Sequence, residues 1–277
     1  MMKKNSILAL LVLAILSCNC YPETTPQHFS RIVSLGPYIT ENLLLLGIKN
    51  EIIGVTIHEK PDIKKEKQVI GTLLDPNIEA IIKLKPDIVI ASKEGNRKQT
   101  VEKLVSLGIR VEVMDEVVTY NDLKNNFFIL AEIFGKQDIA KKIISDIDFE
   151  LAKYGKKRFA RKKKIFWHIG TQPLFTAGAN TYFNEISRYA GGTNIFNDMK
   201  TKYITVSAEE VIRRNPDVII VMGMGEDTYA KNFWNSFKNI EAVKKNKISR
   251  VDDYDFCSPT PLSFLKSIKM VAELLEN

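Results

Sequence analysis

The chain has 277 residues, of which 45% are hydrophobic and 26% are charged, and its formal net charge at pH 7 is +7. A chain of this length and composition can fill two cores of ordinary domain size. The sequence contains no G-x-S-x-G, P-loop or H-E-x-x-H motif, and MGMGED at 222–227 lacks the third glycine of a dinucleotide fingerprint. These absences argue against the enzyme classes that such motifs mark, so we expect a protein that is not an enzyme.

The first 17 residues have the pattern of an export signal. Two lysines precede an unbroken apolar run at 7–16, which is shorter than the roughly 20 residues that span a bilayer. The run ends in Ile-Leu-Ser-Cys, which resembles the lipobox of bacterial lipoproteins, where the chain is cut before the cysteine and a lipid is attached to it. We therefore predict a signal peptide at 1–17, lipidation at Cys18 and a polar, Pro-containing tether at 18–30 that holds the protein at a membrane.

Removal of the signal peptide leaves a net charge of +5. The densest basic run, KKRFARKKK at 156–164, is typical of a solvated or membrane-near surface, and in an exported protein we expect no nucleic-acid binding. The sequence has no C-x-x-C motif for zinc or redox chemistry, and we expect no cofactor. Cys20 lies in the tether, far in sequence from Cys257, so a disulfide between the two is not favoured.

The first half of the remaining chain alternates short apolar runs with amphipathic segments. Runs bounded by Gly or Pro predict buried strands at 31–35, 52–56, 87–91 and 110–114. The predicted helices are 40–46 with Thr40 as N-cap, 77–85 and 100–107, and the polar stretch 57–70 is predicted to be a loop. Such alternation predicts a largely parallel sheet with helices on both faces.

From Tyr120 to about Arg158 no strand pattern occurs. Apolar residues recur at helical spacing on both sides of Gly135, with Asn121 and Asp122 as candidate caps of the first segment. We predict two consecutive helices, of which the second is long enough to act as a strut. The alternation then resumes, with strands at 164–168, 217–222 and 248–251 and helical segments at 180–189, 207–215, 233–237, 240–244 and 261–276.

One segment occurs twice. PNIEAIIKLKPDIVI at 76–90 and VSAEEVIRRNPDVIIV at 206–221 each predict a helix, an X-Pro-Asp turn and a buried strand. Asn77 and Ser207 are expected N-caps, and Ser207 with Glu210 fits a capping box. We therefore predict an α/β fold of two Rossmann-like lobes joined by a long helical strut, with a ligand cleft between the lobes. The expected divisions are an N-terminal lobe at 31–136, a connecting backbone helix at 137–160 and a C-terminal lobe at 161–277.

Five segments carry a resemblance to a known family. They are RIVSLGPYITENLLLLGIKNEIIGVT at 31–56, IEAIIKLKPDIVIAS at 78–92, GNRKQTVEKLVSLGIRV at 95–111, TQPLFTAG at 171–178 and GGTNIF at 191–196. In this order they resemble the helical-backbone solute-binding proteins of ABC importers, which take up vitamin B12, ferric siderophores and haem, and they are most similar to the members that bind vitamin B12. The resemblance implies a monomer that delivers a chelate or macrocycle to a two-fold permease with its ATPase subunits.

Glu79 and Glu209 occupy equivalent places in the repeated helix. A carboxylate in a first turn is stabilised by the helix dipole by about 0.3–1 kcal/mol, which alone explains an acid at both places. In the resembled family, however, one surface glutamate per lobe docks to arginines on the two permease copies. The resemblance therefore favours docking through Glu79 and Glu209.

The same resemblance places ligand-contacting groups in loops that face the cleft, among them 93–96, 168–175 and 252–258. The expected contacts are Tyr38, His58, Lys93, His168, Phe175, Tyr254 and Phe256. Aromatic rings can stack on a planar ligand, haem needs an axial donor, and an anionic siderophore needs Lys or Arg. Cobalamin is suited by aromatic walls with few charges, so the residues leave the three ligand classes open. A zinc- or manganese-binding importer component is the alternative, but the chain has only three histidines and His28 lies in the tether.

Overall fold

The computed structural model of the protein describes residues 28–154, 162–222 and 227–276. The predicted signal peptide, Cys18, Cys20, most of the tether and part of the basic run at 156–164 lie outside the described residues. Within the described residues, no helix is both long and apolar enough to cross a membrane.

The N-terminal lobe is built on one parallel sheet. Its strands are β1 (Ile32–Ser34), β2 (Ile52–Val55), β3 (Gln68–Val69), β4 (Ile88–Ser92) and β5 (Val111–Met114). Its helices are α1 (Pro37–Leu45), α2 (Pro61–Glu66), α3 (Ile78–Lys83) and α4 (Lys98–Ser106). The strand order is β3-β2-β1-β4-β5, and the apolar faces of the sheet are covered on both sides by buried side chains of the helices. Burial on both faces explains why β1 and β4 are continuous apolar runs.

Two helices connect the lobes, α5 (Tyr120–Ile133) and α6 (Gln137–Tyr154). Along α6 the buried positions are spaced by three or four residues, as expected for one helical face. Ala140 and Ile144 belong to the core of the N-terminal lobe, whereas Ile147 and Leu151 belong to the core of the C-terminal lobe. Because burial of each such isoleucine or leucine contributes about 1.5–3 kcal/mol, this single helix is fixed to both lobes.

The C-terminal lobe has a parallel sheet and a smaller antiparallel one. Its strands are β6 (Lys163–His168), β7 (Gly170–Thr171), β8 (Leu174–Ala177), β9 (Gly192–Asn194), β10 (Tyr203–Thr205), β11 (Val218–Met222) and β12 (Ile248–Val251). Its helices are α7 (Tyr182–Tyr189), α8 (Ala208–Arg214), α9 (Asp227–Asn235), α10 (Glu241–Lys244), α11 (Asp253–Cys257) and α12 (Pro261–Glu276). The parallel sheet has the order β12-β11-β6-β9, and the antiparallel sheet has the order β10-β8-β7. The predicted α/β fold of two lobes is confirmed.

The repeated X-Pro-Asp turn ends a helix and anchors a strand in each lobe. The residue before the proline, Lys85 or Asn215, has a positive φ of 46° or 48° and ends its helix. The aspartate then holds the edge of the first strand in its lobe: Asp87 Oδ2 accepts hydrogen bonds from the backbone of Ser30 and Arg31, at 2.8 and 3.0 Å. Asp217 Oδ2 accepts one from the backbone of Lys164, at 2.8 Å. The duplication therefore preserves a backbone anchor as well as a turn.

Three local predictions are wrong in the first lobe and the connecting helices. Thr40 is not an N-cap, because α1 begins at Pro37 with Gly36 as its cap residue, and the Thr40 side chain is buried. Residues 57–70 are not one loop, since they contain α2 and β3. Neither Asn121 nor Asp122 caps α5: Thr119 does, in a capping box with Asp122.

In the second lobe, the predicted capping box at α8 is only half formed. Ser207 Oγ accepts from the Glu210 backbone at 3.2 Å, but the Glu210 carboxylate instead binds Arg213 and Arg214. The stretches 168–175 and 252–258, expected to be loops, contain the hairpin of β7 and β8 and the helix α11. These elements are too short to produce a periodic pattern of their own.

Candidate functional site

A cavity of about 650 Å³ lies between the two lobes. On the N-terminal side it is bounded by residues that follow the carboxyl ends of β1, β2, β4 and β5. On the C-terminal side it is bounded by 180–183 at the start of α7, by Lys202 and Tyr203, and by 253–259. The carboxyl ends of parallel strands are the usual place for ligand binding in α/β folds. The volume also lies within the range of small-molecule sites.

Four of the predicted contact residues lie on the cavity wall. Tyr38 is in the first turn of α1, His58 follows β2, and Tyr254 and Phe256 belong to α11. Burial raises the pKa of Tyr38 well above its usual range. Phe256 is 1% exposed, and its ring packs on Trp167 with 5.6 Å between ring centroids. The aromatic wall of the cavity is therefore continuous with the core of the C-terminal lobe.

Hydrogen bonds cross the cleft at one end of the cavity. The Tyr254 hydroxyl donates to Glu41 Oε1 at 3.0 Å, and Lys60 Nζ lies 2.9 Å from the same oxygen. The Lys60 ammonium also lies 4.7 Å from the centroid of the Tyr254 ring. Nearby, the Asn42 side-chain amide donates to the carbonyl of Pro259 at 3.3 Å. These contacts join α1 and the loop after β2 to the segment that contains α11.

A second polar contact joins the lobes across the cavity. Lys202, just before β10, forms an ion pair with Glu116, which follows β5. Two further carboxylates on the wall, Glu94 and Asp253, form no ion pair or hydrogen bond with any part of the chain that the structure describes. Glu94 is exposed at the wall, but partial desolvation by the protein around the cavity raises its pKa, and the neighbouring Glu116 carboxylate adds to this while Lys202 opposes it. The described wall therefore contains three carboxylates and one lysine.

Three other predicted contact residues do not line the cavity. His168 is 2% exposed and lies under α9, where its Nδ1 accepts a hydrogen bond from Trp234 Nε1 at 2.8 Å and its Nε2 lies 3.0 Å from Thr171 Oγ1. Burial lowers the pKa of His168 to about 4, so its ring is neutral at pH 7. The residue is thus fully engaged by the protein.

Lys93 and Phe175 also have structural partners. Lys93 forms an ion pair with Asp115 on the exposed surface. Phe175 in β8 lies directly over Gly170, where a Cβ atom would come within 1.9 Å of its ring, and it forms a T-shaped pair with Tyr203 at 6.5 Å between ring centroids. The absence of a side chain at Gly170 gives the hairpin room for this ring.

A buried carboxyl lies directly behind the cavity wall. Glu59, next to His58, is 3% exposed. Its Oε1 lies 3.0 Å from the Thr40 hydroxyl and 3.5 Å from the Thr56 hydroxyl, whereas its Oε2 has no hydrogen-bond partner in the described part of the chain. Burial raises the pKa of Glu59 to about 7 against the opposing effect of Thr40. The carboxyl therefore titrates near neutral pH.

The two repeated glutamates lie on the surface. Glu79 is in the first turn of α3, which Asn77 caps by accepting from the Ala80 backbone at 2.9 Å. Glu209 is in the first turn of α8, which Ser207 caps in the same way. Both glutamates are exposed. The pKa of Glu209 is lowered by hydrogen bonds from its own backbone and from Ser207. Each lobe thus presents one exposed glutamate at an equivalent helix terminus.

The sequence prediction missed several residues of the cavity wall. Glu94 and Cys257 lie in stretches that were expected to face the cleft, but no local pattern shows which side chain points inward. The free thiol of Cys257 is exposed at the wall, where partial desolvation inside the cavity and the nearby carboxylates of Asp253 and Glu94 raise its pKa to about 11. Lys202 immediately precedes β10 and Tyr203 begins it, and this strand was not predicted. In the described residues, no group of three or more His, Cys, Asp or Glu side chains is arranged to hold a metal ion.

The chain matches the family described as periplasmic binding protein over residues 32–254. The chain is also similar to the vitamin B12-binding protein of Salmonella typhimurium strain LT2. The two are 32% identical over 223 residues, which cover 78% of this chain and 81% of that protein.

Solved structures give the same fold. A possible iron-binding, periplasmic solute-binding protein from Staphylococcus epidermidis is 27% identical, with a TM-score of 0.78 over 91% of this chain and all of that one. The periplasmic heme-binding protein of Vibrio cholerae is 22% identical, with a TM-score of 0.81 over 89% of this chain and 99% of that one. At the lower identity, the likeness concerns the fold alone.

Proposed function

The chain belongs to the periplasmic binding protein family, and from this membership we propose that it is the substrate-binding component of an ABC importer. It captures an iron–siderophore complex, a corrinoid such as vitamin B12, or haem in the cavity between its lobes. The observation that carries this proposal is the cavity itself. It has about 650 Å³, lies at the strand ends and has aromatic side chains from both lobes on its wall.

The relatives support this set of ligands over a bare metal ion. One is named for vitamin B12, and solved structures of the same fold are described as iron-binding and heme-binding. Zinc or manganese would need several converging His and carboxylate ligands. Aromatic walls instead suit a large planar or macrocyclic molecule. We assign the chain a binding role and no catalytic one.

Within the cavity, the proposed ligand contacts are Tyr38, His58, Tyr254 and Phe256. Tyr38 and His58 come from the N-terminal lobe, and Tyr254 and Phe256 from the C-terminal lobe, so a ligand between them touches both lobes. Lys93, His168 and Phe175 are left out of this proposal, because their side chains are engaged elsewhere in the protein.

The test of capture is a thermal-shift and absorbance titration of the protein with cyanocobalamin, haemin and a panel of ferric siderophores. A ligand that binds only the folded state raises the unfolding midpoint, by about 2.7 kcal/mol of stability at 100 times its dissociation constant. A shift of the Soret band identifies haem. Failure of every ligand to raise the midpoint would contradict the proposed ligand set.

For delivery, we propose that Glu79 and Glu209 dock to a two-fold permease that works with ATPase subunits. The support is their equivalent placement and exposure on α3 and α8. Glu79→Arg combined with Glu209→Arg should abolish transport while leaving ligand affinity unchanged. A matched control is Glu273→Gln, an exposed acid on α12 that should leave both transport and affinity unaltered. A loss of ligand affinity in the double variant would refute the docking role.

The family indicates an extracytoplasmic protein, and we propose that lipid on Cys18 anchors a monomer to the membrane after cleavage of residues 1–17. The lipobox-like Ile-Leu-Ser-Cys supports this proposal. Mass spectrometry of the mature N-terminus should detect a diacylated cysteine, and Cys18→Ser should release the protein from membranes. A protein that stays membrane-bound after this substitution would exclude Cys18 as the anchor.

A further inference from the structure

The described wall of the cavity has an excess of negative charge, although the chain as a whole has a net charge of +7. Its carboxylates are Glu94, Glu116 and Asp253, and its one lysine is Lys202. Lys202 is paired with Glu116. Glu94 and Asp253, one on each lobe, therefore form no ion pair in the described residues, and Lys202 offsets the charge of Glu94 only in part.

Nearby lysines do not supply the missing positive charge. Lys60, close to the cavity, is held by the Glu41 carboxylate at 2.9 Å and by the ring of Tyr254. Lys93, the residue before Glu94, is turned away from the wall into an ion pair with Asp115. The basic side chains that an anionic ligand would need are thus either neutralised or directed elsewhere.

We propose that the cavity selects a ligand whose buried part is neutral or cationic and carries N–H donors, with Glu94 and Asp253 as the specificity-determining residues. This inference rests on the proposed function of the cavity. The two carboxylates accept hydrogen bonds from amide or ammonium groups of the ligand, and such charge-assisted bonds are stronger than neutral ones. A carboxylate or catecholate of the ligand in the same place is repelled instead.

The surroundings of Glu94 strengthen this selection. Glu94 is exposed at the cavity wall, but partial desolvation by the protein around the cavity and the neighbouring Glu116 carboxylate raise its pKa, so its ionised form is less favourable here than in free water. An anionic ligand adds to that cost, whereas a donor or a cation relieves it. We expect a discrimination of about ten-fold per ligand charge, which corresponds to about 1.4 kcal/mol. Because it is electrostatic, the ratio should decrease as the salt concentration rises.

The test compares matched ligands within each proposed class. The first pair is cyanocobalamin and its monocarboxylic acid derivative, in which one side-chain amide is replaced by a carboxylate. The second is haemin and its dimethyl ester, and the third is ferric enterobactin, a trianion, and ferrioxamine B, a monocation. Affinities are measured by isothermal titration calorimetry on the full chain in detergent, at low and high salt.

Two substitutions assign the effect to residues. Glu94→Gln and Asp253→Asn keep the size of each side chain and remove its charge. Each should reduce the preference for the less anionic ligand by several-fold, and the two together should nearly abolish it. Glu273→Gln on α12 removes an exposed charge away from the cavity and should leave the ratio unchanged.

The results distinguish a failure of the charge selectivity from a failure of ligand capture. A preference of about ten-fold per unit of charge for the less anionic member, reduced by both substitutions, supports the inference. Equal affinities, tighter binding of the more anionic member, or a preference that survives both substitutions overturns it while the capture function stands. If circular dichroism shows a folded protein and none of the six ligands binds, the proposed function fails and the inference falls with it.

Discussion

Replacement of Glu59 by glutamine should stabilise the protein, and only above about pH 5. The Glu59 carboxyl is 3% exposed, and its Oε2 has no hydrogen-bond partner in the described chain. A protonated carboxyl and a glutamine amide each place a neutral donor in this pocket. Glu59→Gln therefore mimics the protonated side chain and removes its titration.

The size of the effect follows from the pKa of Glu59, which burial raises from 4.5 to about 7. Between these two values the native state binds more protons than the unfolded state, so the stability that Glu59 contributes decreases as the pH rises. Each pKa unit corresponds to 1.36 kcal/mol, which gives a loss of about 3 kcal/mol at and above pH 7. The variant should match the wild type at pH 4.5 and exceed its free energy of unfolding by about 3 kcal/mol at pH 8.

His168 also titrates in this pH range, so the quantity to measure is the difference in unfolding free energy between the wild type and Glu59→Gln. Burial lowers the pKa of His168 to about 4. Between pH 6.5 and 4 the unfolded state therefore binds more protons at this residue than the native state, so the His168 contribution to stability is lost as the pH falls, opposite to that of Glu59. In the wild type the two effects nearly cancel between pH 4.5 and 6.5. Because both proteins contain His168, its contribution disappears when their unfolding free energies are subtracted.

The assay is urea denaturation of both proteins at pH 4.5, 5.5, 6.5 and 8, with the slope of the transition as a check on two-state behaviour. Glu273→Gln, an exposed acid on α12, serves as the control and should give a difference near zero at every pH. A Glu59→Gln difference that does not change with pH, or that decreases towards pH 8, would refute the assignment of a raised pKa to Glu59.

Three further outcomes are expected. Trp234→Phe removes the donor to His168 Nδ1 from a side chain that is 0% exposed, so it should cost about 2–4 kcal/mol in urea denaturation, and a cost under about 0.5 kcal/mol would contradict it. Gly178→Ala places a Cβ atom 2.2 Å from the carbonyl oxygen of Thr201, so it should destabilise the folded protein by about 1–3 kcal/mol and lower its melting temperature. An unchanged melting temperature would show that the backbone moves aside without cost. Cys257, with a pKa near 11, should react slowly with iodoacetamide at pH 7.5 and more slowly with ligand bound; peptide mass spectrometry that finds equal rates would place the ligand away from this wall.

The repeated segment is the part of the fold that the sequence predicts best. Its cap, its helix, its X-Pro-Asp turn and its apolar strand are all local features, and each is found in both lobes. The anchoring bonds of Asp87 and Asp217 were not predicted, since their partners are 53 to 57 residues away in sequence.

The errors arise where tertiary contacts outweigh local preference. Thr40 is a residue type common at N-caps, but its hydroxyl lies 2.8 Å from Ser34 Oγ and 3.0 Å from Glu59, inside the lobe. Pro37 at the first position of α1 was the better indicator of where that helix begins. The strands β7, β8 and β10 owe their existence to pairing with one another, which no short window of sequence reveals.

For the site, the sequence located the loops but not the direction of their side chains. Tyr38, His58 and Tyr254 lie on the cavity wall, whereas His168 ends β6 with its ring turned beneath α9. The sequence prediction selected Lys93 as a ligand contact, but its neighbour Glu94 is the residue on the cavity wall, whereas Lys93 pairs with Asp115. Successive residues of a loop have no fixed alternation, so only the folded backbone shows which one faces inward.

The bonds that cross the cleft join protein to protein, and α6 is buried in both cores. The distance between the lobes is therefore fixed before a ligand binds. The ligand-bound protein should then have almost the same outer surface as the ligand-free protein. It follows that a permease which recognises Glu79 and Glu209 alone would accept both forms. Unloaded carriers would then compete with loaded ones for the permease. Under that competition, the uptake rate would depend on the fraction of carriers that hold cargo, and an excess of carrier over its cargo would slow import.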